Sequence, residues 1–118
     1  MNVEQVKKYC RSFSGADENE VGHPSNILSF SVRNKKFAYF KTSEPEIWRL
    51  SFRVTPDRFL ELTDHPGVTP ARYMYRFHWV TVVDVNTMNA KYLRELLDWS
   101  YNKAVSSLPK KVQNEVCV

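Results

Sequence analysis

"ILSFSVRNKKFAYF", residues 27–40, alternates through its first half: Leu28, Phe30 and Val32 share one parity, and Ser29, Ser31 and Arg33 share the other. That is the pattern of a strand with one face on a core and one toward solvent. "RNKK" interrupts it and "FAYF" resumes strand character, so the stretch predicts a β-hairpin turning at Asn34-Lys35. Such a hairpin needs further strands beside it. Ile47 to Arg53 supplies one, with Trp48, Leu50 and Phe52 on one side and Arg49, Ser51 and Arg53 on the other. A second region, "YMYRFHWVTVVD" from Tyr73 to Asp84, reads as extended chain over Ala71 to Tyr75, a turn near Arg76-Phe77, and a strand from Trp79 to Val83.

Helical signals flank these strands. Val3, Val6 and Cys10 recur at helical spacing within Val3 to Phe13, and the basic residues Lys7, Lys8 and Arg11 lie in the later half. Thr55-Pro56-Asp57 is an N-cap, a first-turn proline and a first-turn acid, opening a short helix that His65-Pro66-Gly67 closes. Leu93, Leu97, Ala104 and Leu108 mark one stripe of a long helix from Met88 to Leu108, which Pro109 limits. Ser14 to Asn26 is polar and reads as a long connection, and residues 112–118 as a short C-terminal tail. The expected architecture is α+β: one domain over 1–118, with an antiparallel sheet of about five strands and helices on one face.

Composition narrows the classes. With 42% hydrophobic and 25% charged residues, the 118-residue chain is of the globular type. No apolar run nears the roughly 18 residues of a membrane span, and Met1 to Gly15 lacks the apolar core of a signal peptide. The expected placement is cytoplasmic, with no membrane partner. Cys10 and Cys117 are then expected as free thiols rather than a bridge. The net charge of +4 is compatible with an anionic partner without demanding one.

Three phrases in order, "KKFAYF" at 35–40, "GVTPARYMYRFHW" at 67–79 and "LRELLDWSYNKAVSSLPKK" at 93–111, resemble the MmcQ/YjbR family of small bacterial proteins. The resemblance implies a frataxin-like (CyaY-like) α+β fold. It also implies DNA as a partner, approached by two β-hairpins in a double-wing motif, which would map onto Ser31 to Phe37 and Met74 to His78. Two departures stand out. Asn34 and Lys35 occupy a hairpin turn where the family often has glycine, and "NEVGHPSN" replaces its acidic-aromatic-proline stretch.

The residues themselves give a compatible chemistry. Arg33, Lys35, Lys36, Arg49, Arg53, Arg72, Arg76 and His78 are the candidate nucleic-acid contacts, with Arg76 the foremost because it sits by the second turn. Arginine and lysine beside serine satisfy phosphate oxygens without reading sequence. The same residues also suit the wet face of any half-exposed sheet. Trp79 reads as packing or as an exposed stacking residue. His78 reads as a structural histidine, a pH-sensitive phosphate contact or a general base.

No phosphate-binding glycine loop, dinucleotide fingerprint or hydrolase motif occurs, so a non-enzymatic protein is expected, with no catalytic residue, cofactor, metal or small-molecule substrate. The iron chemistry of frataxins needs an acidic ridge, whereas the first helix carries Glu4 against Lys7, Lys8 and Arg11. The alternative function is a protein-interaction module or homodimer. It would use an exposed aromatic such as Tyr39, Phe77 or Trp99, the last within a Tyr92/Leu96/Trp99 face.

Overall fold

The computed structural model describes residues 1–116, so Cys117 and its pairing lie outside the described residues. Helix α1, Val3–Arg11, starts at Asn2. The Asn2 side chain accepts the Gln5 N–H at 2.8 Å and the Gln5 side chain accepts the Asn2 N–H at 2.9 Å, a reciprocal box that fixes the first turn. Helix α2, Pro56–Thr63, opens as its sequence predicts, with Thr55 Oγ1 accepting the Arg58 N–H at 3.2 Å and proline in the first turn. Helix α3, Ala90–Ser106, is capped by Asn89, and helix α4, Lys110–Val116, follows Pro109. The described part of the expected tail, residues 112–116, is therefore helical, and Val116 is buried. Among the described residues no helix is long and apolar enough to cross a membrane.

The strands are β1 Ala16–Val21, β2 Ile27–Val32, β3 Lys35–Lys41, β4 Leu50–Arg53, β5 Val68–Pro70 and β6 Trp79–Val82. They form one antiparallel sheet in the order β1-β2-β3-β4-β6-β5. The sheet has six strands rather than about five. The unforeseen strands are the edges, β1 and β5. In β1 the phrase "DENE" carries no apolar alternation, because neither of its faces enters the core. Its ladder with β2 and a two-bond pair from Arg11 to Glu18, at 2.6 and 3.0 Å, hold it in place. Charge along an edge also blocks further strand pairing.

Val32 pairs with Lys35, so the hairpin turns at Arg33-Asn34, one residue earlier than expected. Both residues have positive φ, 47° and 68°, as a two-residue hairpin matching the strand twist requires. The chain over Ala71 to Tyr75 is not extended. It bends after β5 and makes a 3-10 turn at Tyr75–Phe77 before β6.

Leu28, Phe30 and Val32 of β2, Phe40 of β3, Leu50 and Phe52 of β4 and Val80 and Val82 of β6 are buried in one core. Val6 and Cys10 of α1, Leu62 of α2, Leu93 and Leu97 of α3 and Val116 of α4 close that core from the helical side. A bulge interrupts the β2–β3 register between Phe30 and Ser31, where Phe30 faces Ala38 but Ser31 faces Lys36. The extra residue, Phe37, turns into the core and meets Tyr101 of α3 edge-on at 5.3 Å. Lys36 is thereby switched to the opposite face. Strict alternation would have sent it inward with Ala38 and Phe40.

Candidate functional site

Paired residues of an antiparallel ladder project from the same face. The registers therefore align Asn19, Ser29, Tyr39, Ser51, Thr81 and Thr69 in one polar row across all six strands, on the face the helices leave open. At its centre the Ser51 and Thr81 hydroxyls bond to each other at 2.7 Å, both buried. Lys36 joins this face through the bulge, and Lys41 through its parity with Tyr39. Arg49, whose carbonyl accepts the Lys41 N–H at 3.0 Å, continues the face beyond β4.

A groove of about 490 Å³ runs over this row. Ser51 and Thr81 floor it, Tyr39, Lys36, Lys41 and Arg49 line it from the sheet, and the Arg72–Met74 segment rises along one side. Four cations thus converge on one trough. Arg49 is paired with Glu46 at 3.1 Å, while Lys36, Lys41 and Arg72 have no carboxylate partner among the described residues. Instead, Lys36 Nζ lies 5.4 Å from the centre of the Tyr39 ring and the Arg72 guanidinium 5.3 Å from that of Tyr73. Such exposed contacts hold a cation by about 0.5–1 kcal/mol, leaving its hydrogen-bond donors available. Asp17, on the edge strand β1, shares the open face by register with Ser31 and Lys36. The chemistry is that of an anion cradle: ammonium and guanidinium donors over a hydroxyl floor.

The structure brings Lys36, Arg49 and Arg72 together in the groove and leaves the other candidates outside it. Arg53 ends β4 on the open face, opposite Trp79. Arg33 lies in the β2–β3 turn and pairs with Glu115 of α4 at 3.4 Å. Lys35 is exposed opposite Val32, across the sheet from Lys36. Arg76 is exposed on the 3-10 turn. His78 sits with φ 63° beyond that turn, its ring edge-on to Phe59 of α2 at 5.6 Å. Sequence reasoning missed Lys41. Its parity with Tyr39 was the available signal.

Both links implicated by the sequence leave the same end of the sheet, because β2 ends at Val32 beside Ala16 and β6 begins at Trp79 beside Arg53. The β5–β6 link is aromatic and open: Tyr73 is 80% exposed, Tyr75 50% and Phe77 54%. Trp79, by contrast, is buried on the open face, stacked on Tyr39 with ring centres 5.7 Å apart. The Tyr92/Leu96/Trp99 face is partly closed by α2: Leu96 is buried, Trp99 half-buried, and the Tyr92 hydroxyl accepts from Arg58 at 2.6 Å. Among the described residues no cluster of histidine, cysteine and carboxylates has the makings of a metal site.

Comparison with known proteins adds the lineage. The family model described as YjbR matches residues 11–103. The chain is 27% identical over 113 residues to the "Uncharacterized protein YjbR" of Escherichia coli K12, covering 94% of this chain and 93% of that one. A crystal structure of a Deinococcus radiodurans protein superposes with a TM-score of 0.84 at 27% identity, over 99% of this chain and 88% of that one. A Pseudomonas syringae protein of known structure shares the fold, with a TM-score of 0.70 at 21% identity, over 88% of this chain and 99% of that one.

Proposed function

The chain belongs to the YjbR family, and on that premise we propose that it is a non-enzymatic, cytoplasmic nucleic-acid-binding protein that grips the phosphate backbone with the open face of its sheet. The observation that carries the reading is the convergence of Lys36, Lys41, Arg49 and Arg72 on one groove over a hydroxyl floor. Cations without carboxylate partners exchange bound counterions for phosphate oxygens, which favours association at low salt and confers no choice of sequence. The finer parts of the proposal are a frataxin-like sheet and a pair of wings at Ser31 to Phe37 and Met74 to His78. In that wing geometry Arg33, Lys35 and Arg76 meet the backbone from the ends of the hairpins, outside the groove.

A second reading, a protein-interaction module, is favoured by a different observation: Leu60 of α2 is 71% exposed, at the same time as Tyr75 and Phe77. Anisotropy of a labelled mixed-sequence oligonucleotide over a salt series separates the two. Three phosphate contacts on a duplex, from Lys36, Lys41 and Arg72, predict a logarithmic salt slope of about −2.7, and Lys41→Glu or Arg72→Glu each weaken binding to unrelated sequences alike. No binding at low salt, or binding indifferent to salt and to both reversals, rejects the nucleic-acid reading.

A further inference from the structure

The β5–β6 link carries a feature that phosphate binding leaves unexplained. Tyr73 has φ 69°, a left-handed backbone that a bulky side chain adopts at a cost of about 1–2 kcal/mol. The ring so placed is 80% exposed, beside Arg72 at the rim of the basic groove. Backbone strain is ordinarily offset by packing; here it delivers an aromatic ring to solvent. Two and four residues on, Tyr75 and Phe77 are exposed as well. A duplex gives such rings nothing to do, because its base faces are stacked inside and only phosphates and groove edges are offered. An unpaired strand offers both: phosphates for the cations and a base face for each ring.

We propose that the groove and the adjoining aromatic link form a binding site for single-stranded nucleic acid, with phosphates along Lys36, Lys41, Arg49 and Arg72 and an unpaired base stacked on Tyr73. The inference rests on the phosphate-binding reading above and names its substrate class. The half-exposed Tyr39 ring on the groove floor, already faced by Trp79 and Lys36, supports the strand where it crosses the sheet. Tyr75 and Phe77 extend the stacking surface past the rim. Stacking of this kind accepts any base, because every base has a π-face.

The test compares four labelled probes of about twelve nucleotides at low salt: oligo(dT), oligo(rU), an abasic strand with the same phosphates, and a dT·dA duplex. The expected result is that at least one of oligo(dT) and oligo(rU) binds about tenfold or more tighter than the abasic strand and the duplex, the ratio between the two reporting the sugar preferred. Tyr73→Gly suits the left-handed backbone while removing the ring, so it keeps the fold and should erase that advantage, weakening base-bearing strands far more than the abasic strand, which loses only the ring's hold on Arg72. Tyr73→Phe keeps the ring and should retain it. Equal binding of abasic and base-bearing strands, or a duplex bound more tightly than either strand, overturns single-strand stacking but leaves backbone binding standing. Equal losses in Tyr73→Phe and Tyr73→Gly overturn it too, because the hydroxyl and not the ring face would be the contact. Absence of binding to all four probes defeats the parent reading and this one together.

Discussion

Ser100 of α3 donates its hydroxyl proton to the carbonyl of Phe37 at 2.6 Å, and the Ser100 hydroxyl oxygen accepts the N–H of Arg53 at 3.1 Å. Pairing of β3 with β4 ends at Ala38 and Phe52, so the next two backbone groups would otherwise face a gap in the ladder. A helix hydroxyl fills it. The contact holds the bulge that sends Phe37 inward and Lys36 outward, and thus ties the core to the groove. Ser100→Ala leaves a buried donor and acceptor unpaired and should cost about 1–3 kcal/mol. Urea denaturation measures this. A cost below about 0.5 kcal/mol would mean that the strands close the gap themselves.

How far the sequence revealed this follows from what each element buries. The inner strands and long helix were legible because burial on one face leaves a period in the text: Leu28, Phe30 and Val32, or Leu93, Leu97 and Ala104. Strand β1 was not, since an edge carrying Asp17, Glu18 and Glu20 buries neither face. Nor was the bulge, because "KKFAYF" reads equally well as unbroken alternation, and the break is held by residues as distant as Ser100, some sixty positions on. The cations Lys36, Arg49 and Arg72 could be named but not assembled. Their convergence depends on strand order, which local pattern does not encode.

The hairpin turn gives a backbone prediction. Asn34 holds φ 68°, a region that asparagine tolerates and β-branched residues avoid. Asn34→Val should destabilise the protein by about 1–2 kcal/mol, while Asn34→Gly should be neutral or slightly stabilising. Thermal melts of the pair test it, and equal melting temperatures for both variants would contradict the left-handed turn.

The chain's last described helix should contribute measurably to stability. Val116 is 4% exposed, and a Cβ built on Gly15 would meet its side chain at 3.5 Å and that of Val32 at 3.7 Å. Removing two buried methyls in Val116→Ala should cost about 1–2 kcal/mol. Val112, half-buried on the same helix, should cost less on the same change. Similar melting temperatures for wild type and a chain truncated at Pro109 would show that α4 does not hold the core.

A pH dependence follows from the anchor of the edge strand. Arg11 bonds both carboxylate oxygens of Glu18, and this contact holds the Glu18 carboxyl below the usual range. A carboxyl whose folded value lies below its unfolded one stabilises the fold above the unfolded value, about 4.3, and loses that contribution as the pH falls through the folded value. Glu18→Gln should therefore be less stable than wild type at neutral pH. The gap should narrow below about pH 4.3 and vanish in stronger acid. A gap unchanged between pH 7 and pH 3, as measured by urea midpoints, would assign it to packing rather than charge.

Lys35 and Lys36 are adjacent and both exposed, yet the register sets Lys35 opposite Val32 and Lys36 opposite Ser31, on different faces of the sheet. That makes them an internal control for where a nucleic acid lies. If the open face is the contact, Lys36→Gln removes one phosphate partner and lowers the salt slope by about 1, while Lys35→Gln leaves it nearly unchanged. If the end of the hairpin inserts as a wing, both residues approach the backbone and the two slopes should fall together. Neither change should unfold the protein, because exposed substitutions usually stay within about 0.5 kcal/mol, and circular dichroism verifies this before each titration. Arg33 sharpens the contrast, since its Glu115 partner already offsets part of its charge. Under the open-face geometry Arg33→Gln behaves like Lys35→Gln, and under the wing geometry like Lys36→Gln. A slope that falls for Lys35 and Arg33 but not for Lys36 would exclude the groove and leave the turn as the contact.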